Sequence, residues 1–148
     1  MNSAISDSFI TNRAWHRAVV GGADLILRRV SALEFHELFA GYMQEKVIDV
    51  YARQRGEYDN INYCVVDTFD GIDFERIGNV LCTSVSQTVN DMLADLGEID
   101  EQPLVEALSK YYFTRGKSFD GLAIKPENME RFNSVKEWAM DYYNEVQS

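Results

Sequence analysis

The sequence predicts an α+β domain, on three observations. Short apolar runs separated by glycine turns crowd the middle of the chain. The last third follows the helical period between capping signals. The 148 residues carry 46 % apolar residues, with 8 Phe, 8 Tyr and 2 Trp, and no Pro/Gly/Ser linker divides them. A chain of this size is one domain (1–148) able to bury about two-thirds of its unfolded surface in a single core. The expected architecture is a small, mostly antiparallel sheet of about four strands, with N-terminal helices and three C-terminal helices packed on it.

Residues 1–7 read as a frayed end. Thr11 is placed to cap a helix through Val20, and Gly21-Gly22 stops it. The apolar run ADLILRRV (23–30) suits a strand or a brief helix. Ser31 and Glu34 then have the spacing of a capping box, opening a helix expected to end near Gly41. QEKVIDVYA (44–52) alternates as a strand does, and INYCVVDTF (61–69) reads as the next. Asp70-Gly71 marks a turn, 74–77 a third strand, Gly78-Asn79 another turn, and VLCT (80–83) a further strand. Ser84 and Gln87 form a second capping box, with Val85, Val89, Met92, Leu93 and Leu96 at helical spacing up to Gly97. A helix from about Asp100 to Gly116 tolerates Pro103 in its first turn. The last helix starts at Pro126 and aligns Met129, Phe132, Val135, Ala139, Tyr142 and Val146.

Charge is unevenly placed. Residues 1–55 hold seven Lys/Arg against six Asp/Glu, a balance of +1, whereas 56–148 hold seven against eighteen, a balance of −11. So acidic a surface repels phosphate backbones, and direct nucleic-acid binding by the C-terminal part is not expected. It favours a basic protein partner, or solubility alone. No apolar run reaches the ~18–20 residues of a membrane span. The start, MNSAISDSF, lacks the charge and apolar segment of a signal peptide, so the expected compartment is cytoplasmic. Cys64 and Cys82 lie in apolar strands and read as reduced thiols; pairing would require their strands to be neighbours.

The stretch VVDTFDGIDFE places Asp67, Asp70, Asp73 and Glu75, four carboxylates in nine positions, around Gly71. A calcium loop gathers carboxylates around a tight glycine turn, but the EF-hand spacing is absent and the flanks are strands. Asp73 and Glu75 share one strand face. The expected role is a solvated hairpin whose charge offers a partner surface, with a metal-dependent enzyme as an alternative. TFDGI (68–72) is echoed by SFDGL (118–122); because Asp-Gly accepts positive φ, both read as recurrent turn chemistry. His16 and His36 lack the HExxH spacing and are expected to be hydrogen-bonded or exposed. No nucleotide-binding glycine motif, nucleophile elbow or activated thiol is present, so no catalytic residue, metal site or cofactor is expected. Arg13, Arg17, Arg28 and Arg29 form the one concentrated basic patch. Its expected role is pairing with the molecule's own acids, with nucleic acid or an acidic partner as alternatives.

Three segments carry a family resemblance. LRRVSALEFHELF (27–39), RIGNVLCTSVSQTVNDMLAD (76–95) and DEQPLVEALSKYY (100–112) resemble, in order, the strand-to-helix, turn–strand–helix and following-helix segments of AbiEi-type antitoxins. The resemblance covers residues 24–112. It implies the antitoxin domain of a type IV toxin–antitoxin system, whose partner is a nucleotidyltransferase-like toxin. The family's N-terminal winged helix-turn-helix has no counterpart, because too few residues precede position 24; operator binding is therefore not implied. The matching Ser31, Gly78, Ser84 and Gln87 look structural. The functional expectation is a non-enzymatic, antitoxin-like protein acting through protein contacts. The alternative is an acidic, nucleic-acid-mimicking inhibitor of phage or mobile-element origin that occupies a basic groove.

Overall fold

The computed structural model of the protein describes residues 12–40 and 47–147. The expected Thr11 cap, the helix end at Gly41 and the strand start at 44–46 lie outside them, as does the Val146 side chain. The fold is α+β, and its sheet is mixed with five strands. Helix α1 (Asn12–Val20) leads to β1 (Ile26–Leu27) and α2 (Arg29–Phe35). Strands β2 (Ile48–Ala52), β3 (Ile61–Val65), β4 (Phe74–Ile77) and β5 (Val80–Thr83) follow. Helices α3 (Val85–Ala94), α4 (Gln102–Thr114) and α5 (Met129–Gln147) complete the chain, the last entered through a 3-10 turn at Pro126–Asn128.

Gly21-Gly22 ends α1 as expected, and for a steric reason. A Cβ at Gly21 would stand 2.4 Å from the Arg17 carbonyl and 2.6 Å from Asn79, and Gly22 turns at φ +77°. The Gly22 amide donates to the Asn79 carbonyl at 2.7 Å, so α1 is pinned to the β4–β5 hairpin.

Strand order is β3-β2-β1-β5-β4. The expectation of about four mostly antiparallel strands is corrected in two places. β2 and β3 are parallel, Ile48 opposite Ile61, and β1 and β5 are parallel as well. The connection 53–60 is short, which argued for antiparallel pairing. Its eight residues nonetheless reach ~26 Å when extended, more than the ~17 Å of a five-residue strand, so the chain returns without a helix. β3 and β4 occupy opposite edges, so TFDGI does not close a hairpin. It lies in a crossover spanning four strand spacings, about 19 Å.

The capping box at Ser31 and Glu34 does not form. The chain leaves β1 directly into α2 at Arg28, which puts Ser31 inside the helix; its hydroxyl accepts the Asp49 amide at 2.9 Å. Helix α2 stops at Phe35, well before the expected end. Leu38 N–H donates to the Leu33 carbonyl and Glu37 N–H to the Glu34 carbonyl, while Glu37 takes φ +61°. This is a Schellman closure without the usual glycine. At α3, Ser84 accepts the Gln87 amide at 3.1 Å as expected. Gln87 does not reciprocate; it accepts the Asp73 amide and donates to Asp91.

The core has two parts with α2 as their seam. Ala32 and Phe35 join Trp15, Leu27, Val50 and Cys82 against one sheet face. Leu33 joins Met92, Leu93, Leu108, Phe132 and Val135 among α3, α4 and α5. The C-terminal helices thus build a core of their own instead of covering the sheet. In α5 the expected stripe buries Phe132, Val135 and Ala139, whereas Met129 is exposed.

Candidate protein-binding surface

The crossover 66–73 carries the sequence's acidic stretch across the sheet from β3 to β4. Its turn is built locally. Thr68 Oγ1 accepts the Asp70 amide at 3.1 Å, Phe69 O accepts the Ile72 amide at 3.1 Å, and Gly71 takes φ +85°. The far end is tied down where Asp73 N–H donates to Gln87 Oε1 and Asp73 O accepts the Ser84 amide. These bonds leave the carboxylates to solvent. Asp67, Asp70, Asp73 and Glu75 are all exposed, and none forms an ion pair among the described residues.

Apolar groups are interleaved with these acids. Val65 is 53 % exposed and Phe74 37 %. Phe69 packs edge-on to Phe74 with centroids 6.2 Å apart and lies under the Arg53 guanidinium at 5.9 Å. Arg53 is held by Asp24, with bonds of 2.7 and 3.1 Å. Both residues line a cleft of about 670 Å³ beneath the 53–60 connection, floored by Leu25, Ala52 and Ile61, with Tyr58 and Asp67 in its wall. Gly56 lets the Tyr63 ring approach closely, since a Cβ there would stand 2.4 Å from the Tyr63 hydroxyl. The composite surface offers carboxylates, two aromatic rings and an edge strand. Such a face suits a basic protein surface with apolar anchors.

The four arginines do not make one patch. Arg13 pairs with Glu37 at 3.6 Å and lies over the Phe35 ring at 4.7 Å. Arg17 is exposed. Arg28 and Arg29 point the other way, toward α3. Arg28 is buried over the Tyr51 ring at 4.5 Å, 4.0 Å from Asp95, and Arg29 bonds Asp95 directly. Beside them Tyr51 donates to Asp91 at 2.7 Å, and burial followed by that bond pushes its phenol up to about 12. Asp49 is raised above the ordinary carboxylate range by burial, against the opposing pull of Asn62, Arg28 and Arg29. This network fastens α2 and β2 to α3. Arg28 and Arg29 are thus engaged by the molecule's own acid and aromatic groups.

Cys64 and Cys82 are free thiols. They stand three strand spacings apart on opposite sheet faces, too far to bridge. Cys82 Sγ lies 3.5 Å from His36 Nε2, a pairing that sequence spacing did not suggest. The same nitrogen is 2.8 Å from the Thr83 carbonyl, so its proton points there and it cannot serve the thiol as a base. Burial, then the Glu75 charge, pushes the Cys82 thiol up to about 12. His16 departs from expectation: it is fully buried, neither ring nitrogen has a hydrogen bond, and Glu34 Oε1 is 3.5 Å away.

Among the described residues, no group of three or more His, Cys, Asp or Glu side chains is placed to hold a metal ion. No described helix is long and apolar enough to cross a membrane. The sequence missed Tyr58, Val65 and the cleft, because their exposure follows from β3 being an edge strand. No protein-family model matches the chain, and no curated protein matches it.

Proposed function

We propose that this chain is a non-enzymatic protein-binding module, antitoxin-like in action, that engages a basic partner through residues 65–75. One observation carries the reading: four exposed carboxylates, without ion pairs among the described residues, lie on the crossover and the start of β4, interleaved along the chain with exposed Val65 and Phe74. Arg28 and Arg29 are turned inward, and Arg53, the cation over Phe69, is paired with Asp24, so the four carboxylates have no ion-pair partner among the described residues. The AbiEi-type reading rests on the sequence resemblance of its three segments, which here form β1–α2, a Gly78 turn with β5–α3, and α4. Its partner would be a nucleotidyltransferase-like toxin.

Co-expression with the toxin encoded beside this chain tests the proposal. Wild type is expected to restore growth, and D67N/D70N/D73N/E75Q to lose that rescue while staying folded. A neighbouring toxin that wild type does not neutralise, or rescue indifferent to the four substitutions, would sink it. The −11 balance after residue 55 also favours the second reading, an acidic inhibitor occupying a basic nucleic-acid-binding groove. That reading predicts release of the partner by competing DNA as well as by salt.

A further inference from the structure

A second apolar surface lies far along the chain, on α5. Of the two tryptophans, Trp15 is 2 % exposed and Trp138 is 52 % exposed. Trp138 stands at the rim of a groove of about 340 Å³ between α5 and the α3–α4 junction, floored by buried Val135 and half-buried Leu96. Glu101 and Glu130 form its other walls. Glu130, Glu137, Trp138 and Asp141 fall on one stripe of the helix, at i, i+7, i+8 and i+11, so the indole is set among carboxylates.

The groove's one basic lining residue is committed elsewhere. Arg131 Nη1 donates to the carbonyls of Leu93 and Ala94, each at 2.8 Å, capping the C-terminus of α3. Neither Glu101 nor Glu130 makes an ion pair among the described residues. What remains is an apolar trough, an exposed indole and a rim of two carboxylates without ion pairs among the described residues. A second copy of this chain, at net charge −10, would bring acid against acid.

We infer that this groove is a docking site for a basic amphipathic segment of a partner protein. An aliphatic side chain of the segment fills the trough over Val135 and Leu96. Its flanking Lys or Arg meet Glu101 and Glu130 and lie over the Trp138 face, where a cation is attracted to the ring. The inference rests on the groove alone and stands apart from the 65–75 surface.

A synthetic leucine–lysine amphipathic helix is the probe, titrated against the full chain. Because Trp15 is already buried, changes in emission report Trp138. The expected result is a blue shift and protection from acrylamide quenching, with affinity about tenfold weaker in E101Q/E130Q and in W138A by calorimetry. D120N/E127Q, which removes the same charge from exposed positions outside both surfaces, is expected to bind as wild type does. An unshifted emission overturns the inference, as does an equal loss in both charge-neutralised variants, which would mark diffuse attraction. A Trp138-dependent dimer in sedimentation without peptide would assign the groove to a second copy and also overturn it.

Discussion

The chain uses one turn twice and gives it two different duties. At 68–72 and again at 118–122 a hydroxyl accepts the Asp amide (3.1 and 2.9 Å), the Phe carbonyl accepts the aliphatic amide (3.1 Å in both), and glycine takes φ +85° or +96°. The local structure is the same, but the surroundings are not. Phe119 packs between Tyr112 and Phe132, with centroids 4.7 and 5.4 Å away, on the helical core. Tyr111 donates to the Asp120 carbonyl at 2.6 Å. The segment beyond is held by Asn90, which accepts the Lys125 amide and donates to the Ala123 carbonyl. Phe69 instead meets an exposed Phe74 and an arginine that is itself exposed. Local code sets the shape of a turn, and tertiary context decides whether it anchors the fold or presents a surface.

The contrast is most open to breakage at the two phenylalanines. Phe119→Ala is expected to cost about 2–4 kcal/mol by urea unfolding, through the cavity left between its two aromatic neighbours. Phe69→Ala is expected to cost less than about 1 kcal/mol. Equal losses would mean that both turns anchor the fold.

The glycines sharpen the same point. Gly121→Ala combines backbone strain with a Cβ 2.7 Å from the Tyr111 hydroxyl, whereas a Cβ at Gly71 meets nothing within 4 Å. Expected losses are about 2–3 kcal/mol and about 1 kcal/mol, read as paired thermal melts. A Gly71→Ala loss as large as the other would show hidden contacts over the crossover.

The smallest effect concerns pH. Asp49 titrates above its ordinary range in the folded state, so the native protein holds that proton to higher pH than the unfolded chain does. The associated stability is complete below the unfolded value near 4 and is lost as pH rises through the folded value. Asp49→Asn keeps the shape and can keep the Asn62 contact. It is expected to flatten this part of the profile, while Phe119→Ala leaves the slope unchanged. A steeper profile in the asparagine variant would contradict the burial argument.

Much of the secondary structure was legible because it is locally encoded. Ile61, Tyr63 and Val65 alternate with Asn62 and Cys64, the glycines at 21–22 and 78 stop or turn the chain for steric reasons, and Pro126 leads into α5. The α+β class follows from these. Strand order was not legible, because a connection as short as 53–60 permits either direction once it is long enough to return along the strand. The end of α2 was hidden because Glu37 occupies the left-handed position where glycine is the usual signal. Ser31 misled because its hydroxyl serves a neighbouring strand. For the candidate surface, the acids were visible in the sequence, but their apolar partners became visible only with the position of β3 at the sheet edge.

The central claim is that the first turn serves a partner and the second serves the fold. Partner retention by the tagged chain across a salt series, with thermal melts of the same samples, tests it most directly. Wild type is expected to retain a partner at low salt and release it as salt rises. D67N/D70N/D73N/E75Q should melt within a few degrees of wild type and retain none. Undiminished retention by that variant, or a wild-type chain that retains nothing at low salt, would contradict the account.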